Sequence, residues 1–256
     1  MQHGICLIGL AAVREEASHK SQMVTQLLFG DLFEVTEKQD DWVKIISTYD
    51  NYEGWVAKNQ IKLISSDSYN ELLNHPIIIS GDIIQVLTNI TTGNSFLISA
   101  GSTMYGTYQD NFSILGENYK YCGNLSIVDN SALQTVNNAL MFLDAPYLWG
   151  GRSAMGIDCS GFMQIVCKMA GIKIPRDASQ QVNSGFPVDL INEAQPGDLC
   201  FFDNHEGHIT HVGMMIDEHH IIHAHGKVRI DLIDHNGIFS KDLKKYTHQL
   251  RVINRV

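Results

Sequence analysis

YLWGGRSAMGIDCSGFMQIVCKMAG, residues 147–171, decides how this chain is read. Its second half places Phe162, Ile165, Val166 and Met169 on one face of a predicted helix, with Gly171 as a natural stop. Cys159 stands at the opening of that helix, where unpaired backbone N–H groups and the positive end of the peptide dipoles favour a thiolate over a thiol. Gly150, Gly151, Gly156 and Gly161 let backbone approach closely, and Tyr147 and Trp149 can wall a cleft. An arbitrary cysteine is more often an inert buried group than a nucleophile. These neighbours reverse the odds for Cys159, while Cys167, eight residues on, keeps the structural reading.

Upstream, SALQTVNNALMFLD (131–144) puts Leu133, Val136, Leu140 and Leu143 at helical spacing and ends before Pro146. Downstream, RDASQQVNSG (176–185) offers a short second helix. QPGDLCFF (195–202), THVGMMID (210–217), HIIHAHG (220–226) and KVRIDLI (227–233) then read as strands of an antiparallel sheet. Residues 129–256 are therefore expected to form an α+β domain. From Gly4 to about Ile64 the texture differs: apolar runs at 5–13, 32–36, 42–46, 54–57 and 61–64 have the spacing of a small all-β barrel. Residues 65–128 repeat the strand-rich texture, at 77–79, 83–87, 96–99 and 112–115. The expected domains are 1–64, 65–128 and 129–256.

A thiol at its ordinary pKa is mostly protonated at neutral pH, so a nucleophilic Cys159 needs an imidazole partner. Of twelve histidines, His211 is best placed, because THVGMMID reads as a strand with a glycine two positions on that leaves room beside the ring. His208, at an odd separation, points to the opposite face of a continuous strand. Parity chooses the group that orients the imidazole: if the following turn centres on Asp217, His211 lies directly across from His223. His225 shares that face and stands second, while His219 and His220 are read as exposed turn residues.

Composition bounds the partners. With 44% hydrophobic and 18% charged residues, the 256-residue chain can bury cores and has no apolar run long enough to span a membrane. A net charge of -10, with 18 Lys and Arg against 28 acids, disfavours nucleic acid and suits a ligand carrying an amine. Cys6, Cys122, Cys159, Cys167 and Cys200 are odd in number and lack a CxxC pair, so neither a disulfide framework nor a zinc knuckle is indicated. The apolar stretch 5–13 has no Lys or Arg before it and is read as a strand rather than a signal segment. A cytoplasmic setting is expected, with a periplasmic or secreted one as the alternative if a signal precedes this sequence.

The order YLWGG, DCSGF, IPRDASQQ, QPGDLCFF, HVGMMI and HAHG resembles the NlpC/p60 cysteine peptidases over about residues 131–256. VTQLLFGDLFEVTEKQDDWVKIIS (24–47) with YEGWVAKNQIKLI (52–64) resembles bacterial SH3-like domains, and residues 65–128 read as a second, divergent copy without the GWV strand. The implied fold is two small all-β SH3-like barrels followed by an α+β, papain-like catalytic domain. The resemblance implies Cys159 as nucleophile, His211 as general base, His223 as third polar residue and Tyr147 as an oxyanion donor.

With two SH3-like domains in front, the chain is similar to gamma-D-glutamyl-L-diamino acid endopeptidases, the dipeptidyl-peptidase VI type, which act on murein peptides with a free N-terminal L-alanine. That likeness implies that Asp158, Ser160, Arg176 and Asp177 lie near the substrate, and leads to Glu53 as a partner for its ammonium. A buried carboxylate there would form a charge-assisted bond and reject blocked amines. Where such enzymes resemble an Arg-Asp-Ser run, this chain has Arg176, Asp177, Ala178 and then Ser179. A hydroxyl contact is lost at Ala178, and Ser179 is its candidate replacement.

No cofactor or metal is expected, and a monomer is plausible. Three rivals remain: a zinc site on Cys159, His211 and His223, a non-catalytic wall-peptide binder, and an amidase or acyltransferase using the same Cys and His. Trp42 and Trp55 are read as packing residues, and Arg14 has no assigned role.

Overall fold

The first sixty-four residues fold as seven antiparallel strands, β1 (Gln2–Ile5), β2 (Leu10–Arg14), β3 (Met23–Leu28), β4 (Leu32–Gln39), β5 (Trp42–Ser47), β6 (Glu53–Ala57) and β7 (Lys62–Ile64). They are hydrogen-bonded in the order β3-β2-β6-β5-β4-β1-β7. The structure is a computed structural model that describes residues 2–106 and 111–256. The single strand expected over 5–13 is two strands, because the backbone leaves the sheet at Cys6, whose N–H donates to Asp31 O and whose carbonyl accepts from Gly30 N. Gly9 permits the crossing, since a Cβ there would meet Leu97 O at 2.2 Å.

Cys6, Ala11, Val13, Leu27, Phe33, Val35, Val43, Ile45 and Val56 fill one core. The glycine of the GWV strand has a steric cause: a Cβ on Gly54 would stand 2.5 Å from Val13 Cγ1. Trp42 and Trp55 are buried together with Ala57 in a small separate cluster, as packing residues.

Residues 65–126 contribute a helix that the strand-rich reading missed, α1 (Ser66–Asn74), whose N-cap Ser65 accepts from Ser68 N at 3.1 Å. Strands β8 (Ile77–Ile79), β9 (Ile84–Asn89), β10 (Ser95–Ser99), β11 (Thr103–Tyr105), β12 (Asn111–Ile114) and β13 (Glu117–Tyr121) follow, in sheets ordered β10-β9-β13-β12 and β11-β8. Their core is shared with strands β1 to β7 and the loops between them. Ile5, Phe29 and Leu32 pack with Tyr69, Leu72, Leu87, Ile98, Met104 and Tyr119, and Tyr105 Oη donates to Gly30 O at 2.7 Å.

By its contacts the chain divides into two units, Met1–Ser126 with Trp149–Ala154, and Ile127–Leu148 with Met155–Val256. The inserted segment holds β14 (Arg152–Ser153). Arg152 is buried in the first unit, where its N–H donates to Gln26 Oε1 at 2.8 Å and its Nη1 reaches Asp31 Oδ2 at 3.2 Å. Trp149, in the same segment, is 59% exposed.

The second unit holds α2 (Ala132–Leu140), β15 (Gly156–Ile157), α3 (Cys159–Ala170), α4 (Ala178–Gln181), β16 (Phe186–Pro187) and β17 (Leu199–Asp203). Strands β18 (Ile209–Met215), β19 (His220–His225), β20 (Lys227–Asp234), β21 (Gly237–Ser240) and β22 (Lys245–Arg255) complete it. The sheet runs β16-β22-β17-β18-β19-β20-β21, and the long β22 also pairs β21, so the sheet closes on itself. Helix α3 is buried on every side and stops at Gly171, which sits in the left-handed region at φ 85°.

The expected leucine stripe of α2 is corrected. Leu133 is 71% exposed and Leu140 and Leu143 are also exposed, while Thr135, Val136, Asn138 and Ala139 form the buried face. That face turns to α3, where Asn138 Nδ2 donates to Val166 O at 3.5 Å. The helix ends at Leu140 and a turn follows, with Asp144 in the left-handed region.

Candidate active site

Cys159 is the first residue of α3, and the preceding Asp158 is the N-cap, accepting from Gly161 N at 2.7 Å. The same carboxylate receives Arg176, with Nη2 to Oδ2 at 2.6 Å and Nη1 to Oδ1 at 3.0 Å, in a pair that is almost wholly buried. Arg176 Nη1 also donates to Ser160 Oγ at 2.9 Å. Gln181 of α4 adds a strut, donating to Ser160 O at 2.9 Å and Pro175 O at 2.8 Å. Asp158, Ser160 and Arg176 thus hold the turn that presents the cysteine.

The thiol itself is buried, and backbone N–H groups of Val212 and Ser160 face it. Burial first, and the Asp158 carboxylate second, push its pKa up to about 11, against those N–H groups and Arg176, which pull it down. The helix terminus therefore does not by itself produce a thiolate: desolvation wins. Tyr147 lies close enough to feel Cys159 and Asp158, and its hydroxyl is pushed up to about 12, chiefly by burial.

Val212 follows His211, so the strand that supplies an N–H to the thiol also carries the imidazole. His211 Nε2 lies 2.9 Å from His223 Nδ1, and both rings are buried. Burial, followed by the neighbouring His223, His248 and His225, holds His211 well below the usual imidazole range, so it is neutral at rest. His223 is also held low, burial outweighing the pull of Asp231.

Direct opposition of His211 and His223 is corrected by the register, which sets Gly213 opposite His223 and Met215 opposite Ile221. The turn centres on Glu218 rather than Asp217, closed by Ile216 N to His220 O and by Asp217 Oδ1 accepting from His219 N and His220 N. The displacement is by two positions, so both histidines keep one face and meet on the diagonal. Gly213 makes this possible, because a Cβ there would stand 2.8 Å from His223 Cβ.

Two neighbours went unread in the sequence. Asp231 Oδ2 lies 3.0 Å from His223 Nε2, and Arg229 grips that carboxylate with Nε at 2.6 Å and Nη2 at 2.8 Å. Burial would raise Asp231, but bonds from His223 and Arg229 bring it down to about 2. His248 of β22 stacks on His211, with centroids 4.1 Å apart and planes 23° apart. The parity argument, extended across the next hairpin, finds the first of these: Arg229 is opposite His223 and Asp231 two residues on.

The remaining candidates separate. Asp177 is the N-cap of α4 but makes no side-chain cap bond, and Ser179 is exposed next to the buried Ala178. Glu53 is not the buried carboxylate anticipated. Its side chain is 57% exposed and pairs with Lys44 at 3.2 Å in the first unit, to which Trp149 also belongs. Among the described residues, the group with metal-ligand spacing is His211, His223 and His248, with ring nitrogens within 4.8 Å of one another, and it does not include Cys159. His211 and His248 are stacked while His223 stands at 86° and 82° to them, and His211 Nε2 is engaged with His223 Nδ1.

Residues 144–248 match the NlpC/P60 family and residues 9–62 the bacterial SH3 domain. A gamma-D-glutamyl-L-lysine dipeptidyl-peptidase of Bacillus subtilis (strain 168) is 31% identical over 221 residues, covering 78% of this chain and 71% of that protein. One of the same name from Bacillus cereus (strain ATCC 10987 / NRS 248) is 29% identical over 231 residues, covering 81% and 68%. In fold, a crystal structure of an NlpC/P60 family protein from Bacillus cereus ATCC 10987 superposes with a TM-score of 0.84 at 21% identity, over 99% of each chain. With a bacterial SH3 domain ahead of a domain that seats Cys159 beside the strand of His211, the chain belongs to the NlpC/P60 family.

Proposed function

We propose that this protein is a cysteine endopeptidase that hydrolyses the gamma-D-glutamyl–diamino acid bond of murein peptides with a free N-terminal L-alanine, releasing L-Ala-gamma-D-Glu. The observation that carries the reading is the Cys159 thiol at the start of α3 against the N–H of Val212, with the adjacent His211 tied through Nε2 to His223. Relatives that bear the gamma-D-glutamyl-L-lysine dipeptidyl-peptidase name support the choice of bond.

In this mechanism the neutral Cys159 thiol and the neutral His211 imidazole act as a general-base pair. As Cys159 Sγ bonds the gamma-carbonyl carbon, its proton passes to Nδ1 of His211, the nitrogen not engaged with His223. His211 then gives that proton to the departing amine as the C–N bond breaks, leaving a thioester. His211 next deprotonates a water, which attacks the thioester carbonyl; the acid leaves and Cys159 recovers a proton. Tyr147, whose raised pKa keeps its hydroxyl protonated, donates to the oxyanion. No step calls for a cofactor.

In this reading Asp158, Ser160 and Arg176 position the nucleophile, and Asp177, Ser179 and Trp149 belong to the substrate surface. Glu53 receives the substrate ammonium by exchanging it for Lys44, an exposed pair whose loss costs only about 0–1 kcal/mol. Residues 65–128 are read as a second, divergent SH3-like module, and an experimental structure whose two small sheets do not pack around one core would refute this. The free cysteines favour a cytoplasmic setting, which fractionation outside the inner membrane would overturn.

The test is mass spectrometry of L-Ala-gamma-D-Glu-meso-diaminopimelate, its L-lysine counterpart and their N-acetylated forms. Release of L-Ala-gamma-D-Glu from free-amine peptides by wild type, and none by Cys159→Ala, is expected. Cleavage of the acetylated peptides would remove the N-terminal specificity, and no cleavage at all would favour a non-catalytic binder.

A further inference from the structure

We propose that Asp231 is a positioning residue that sets the tautomers of both His223 and His211, and through them leaves the base nitrogen of His211 free for Cys159. The proposal deepens the peptidase reading and rests on it for its kinetic consequence, but not for its structural one.

Hydrogen-bond chemistry forces the assignment. A carboxylate has no proton to give, so Asp231 Oδ2, 3.0 Å from His223 Nε2, requires that nitrogen to be the N–H. The neutral His223 then has its lone pair on Nδ1. That lone pair faces His211 Nε2 at 2.9 Å, so Nε2 must carry the proton of His211. The lone pair of neutral His211 is consequently on Nδ1, where a proton from the thiol can be taken. The opposite assignment at His223 would set two lone pairs, Nε2 and a carboxylate oxygen, against each other in a buried site, a costly arrangement.

Arg229 supplies what Asp231 needs to act as a fixed acceptor. Its two bonds to the carboxylate, backed by Asp242 at 2.9 Å, keep Asp231 ionised and orient its oxygens. The charged and titratable groups facing this chain are His211 from β18, His225 from β19, Arg229 from β20 and His248 from β22, with Asp242 beyond Arg229. Among these, Asp231 is the group that accepts from His223 Nε2, so it alone dictates the direction in which the two imidazoles point their protons.

The experiment has a spectroscopic and a kinetic arm. In wild type, nitrogen-15 NMR of histidine side chains should find both His211 and His223 protonated at Nε2 and bare at Nδ1. The reverse tautomer at either ring overturns the proposal, whether or not the protein cleaves any peptide. Asp231 Oδ2 accepts from both His223 Nε2 and Arg229 Nε, so Asp231→Leu, which leaves no acceptor at that place, is the cleaner variant. The two rings should then no longer be held in one tautomer, with kcat falling on the order of 10²–10⁴-fold and KM nearly unchanged.

Asp231→Glu, which keeps a carboxylate, should retain the wild-type tautomers and recover part of kcat. A folded Asp231→Leu protein with both rings still held in the wild-type tautomers, or with kcat within threefold of wild type, refutes the assignment. If wild type itself proves inactive, the peptidase reading falls and the NMR arm still decides the tautomers.

Discussion

Replacing Asp158 by asparagine isolates the ion pair beneath Cys159. Asparagine can still cap α3 through Gly161 N, so helix initiation is largely preserved. What is lost is the negative charge against Arg176, whose guanidinium is 1% exposed and held at 2.6 and 3.0 Å. Breaking one side of a buried pair leaves the other charge desolvated, at a cost of about 3–5 kcal/mol. With a urea slope of roughly 2 kcal/mol per molar, the midpoint should fall by about 1.5–2.5 M.

Arg176→Met should cost less, because the remaining carboxylate keeps Gly161 N and Ser160 Oγ as donors at the positive end of α3. In the double variant the two losses should fall short of their sum, measuring the coupling directly. Far-UV circular dichroism is the appropriate probe, since Trp42, Trp55 and Trp149 all lie in the first unit. A midpoint for Asp158→Asn within about 0.3 M of wild type would refute the structural role, and a raised KM with unaltered stability would return both residues to substrate binding.

Two further outcomes follow from the same site. With Cys159 pushed up to about 11, only about one thiol in 10⁴ is ionised at pH 7. Its alkylation by iodoacetamide, followed in a Cys122→Ser background that removes the exposed thiol, should rise about tenfold per pH unit between pH 6 and 10; a plateau between pH 5 and 8 would instead reveal a thiolate–imidazolium pair. Gly213→Ala should lower stability by about 1–3 kcal/mol and reduce kcat, because the new Cβ meets His223 and Ile221 at 2.8 Å; thermal melting and activity assays together check it, and an alanine variant with wild-type melting and turnover would contradict the packing.

The parts of this site that the sequence makes legible are those that depend on period rather than on count. His211 and His223 share a face because strand side chains repeat every two residues, and a turn misplaced by one residue moves the register by two, which preserves parity. Asp231 was accessible to the same logic. Gly226, at φ 71°, closes the next hairpin so that His225 pairs with Lys227, and counting outward puts Arg229 and Asp231 on the histidine face. His248 was not accessible, because β22 pairs β21 through a register shift between Ile238 and Phe239, and no count from the sequence anticipates an irregular residue there.

Helix α2 marks the other limit of such reading. Apolar spacing says which residues can share a stripe, but the neighbour decides which stripe is covered. Helix α3 is buried on all sides and packs closely against a face of Thr135, Val136, Asn138 and Ala139, whose short or slim side chains allow the approach. The bulkier Leu133 and Leu140 are turned away. Holding α3 from every side fixes where its first residue, Cys159, presents its sulfur, which the proposed mechanism requires. Burial that raises the thiol pKa is the consequence of the same packing, so in the proposed mechanism reactivity comes from the orientation of His211 rather than from a thiolate standing ready. The demand for orientation falls in turn on His223 and on the Asp231 carboxylate behind it.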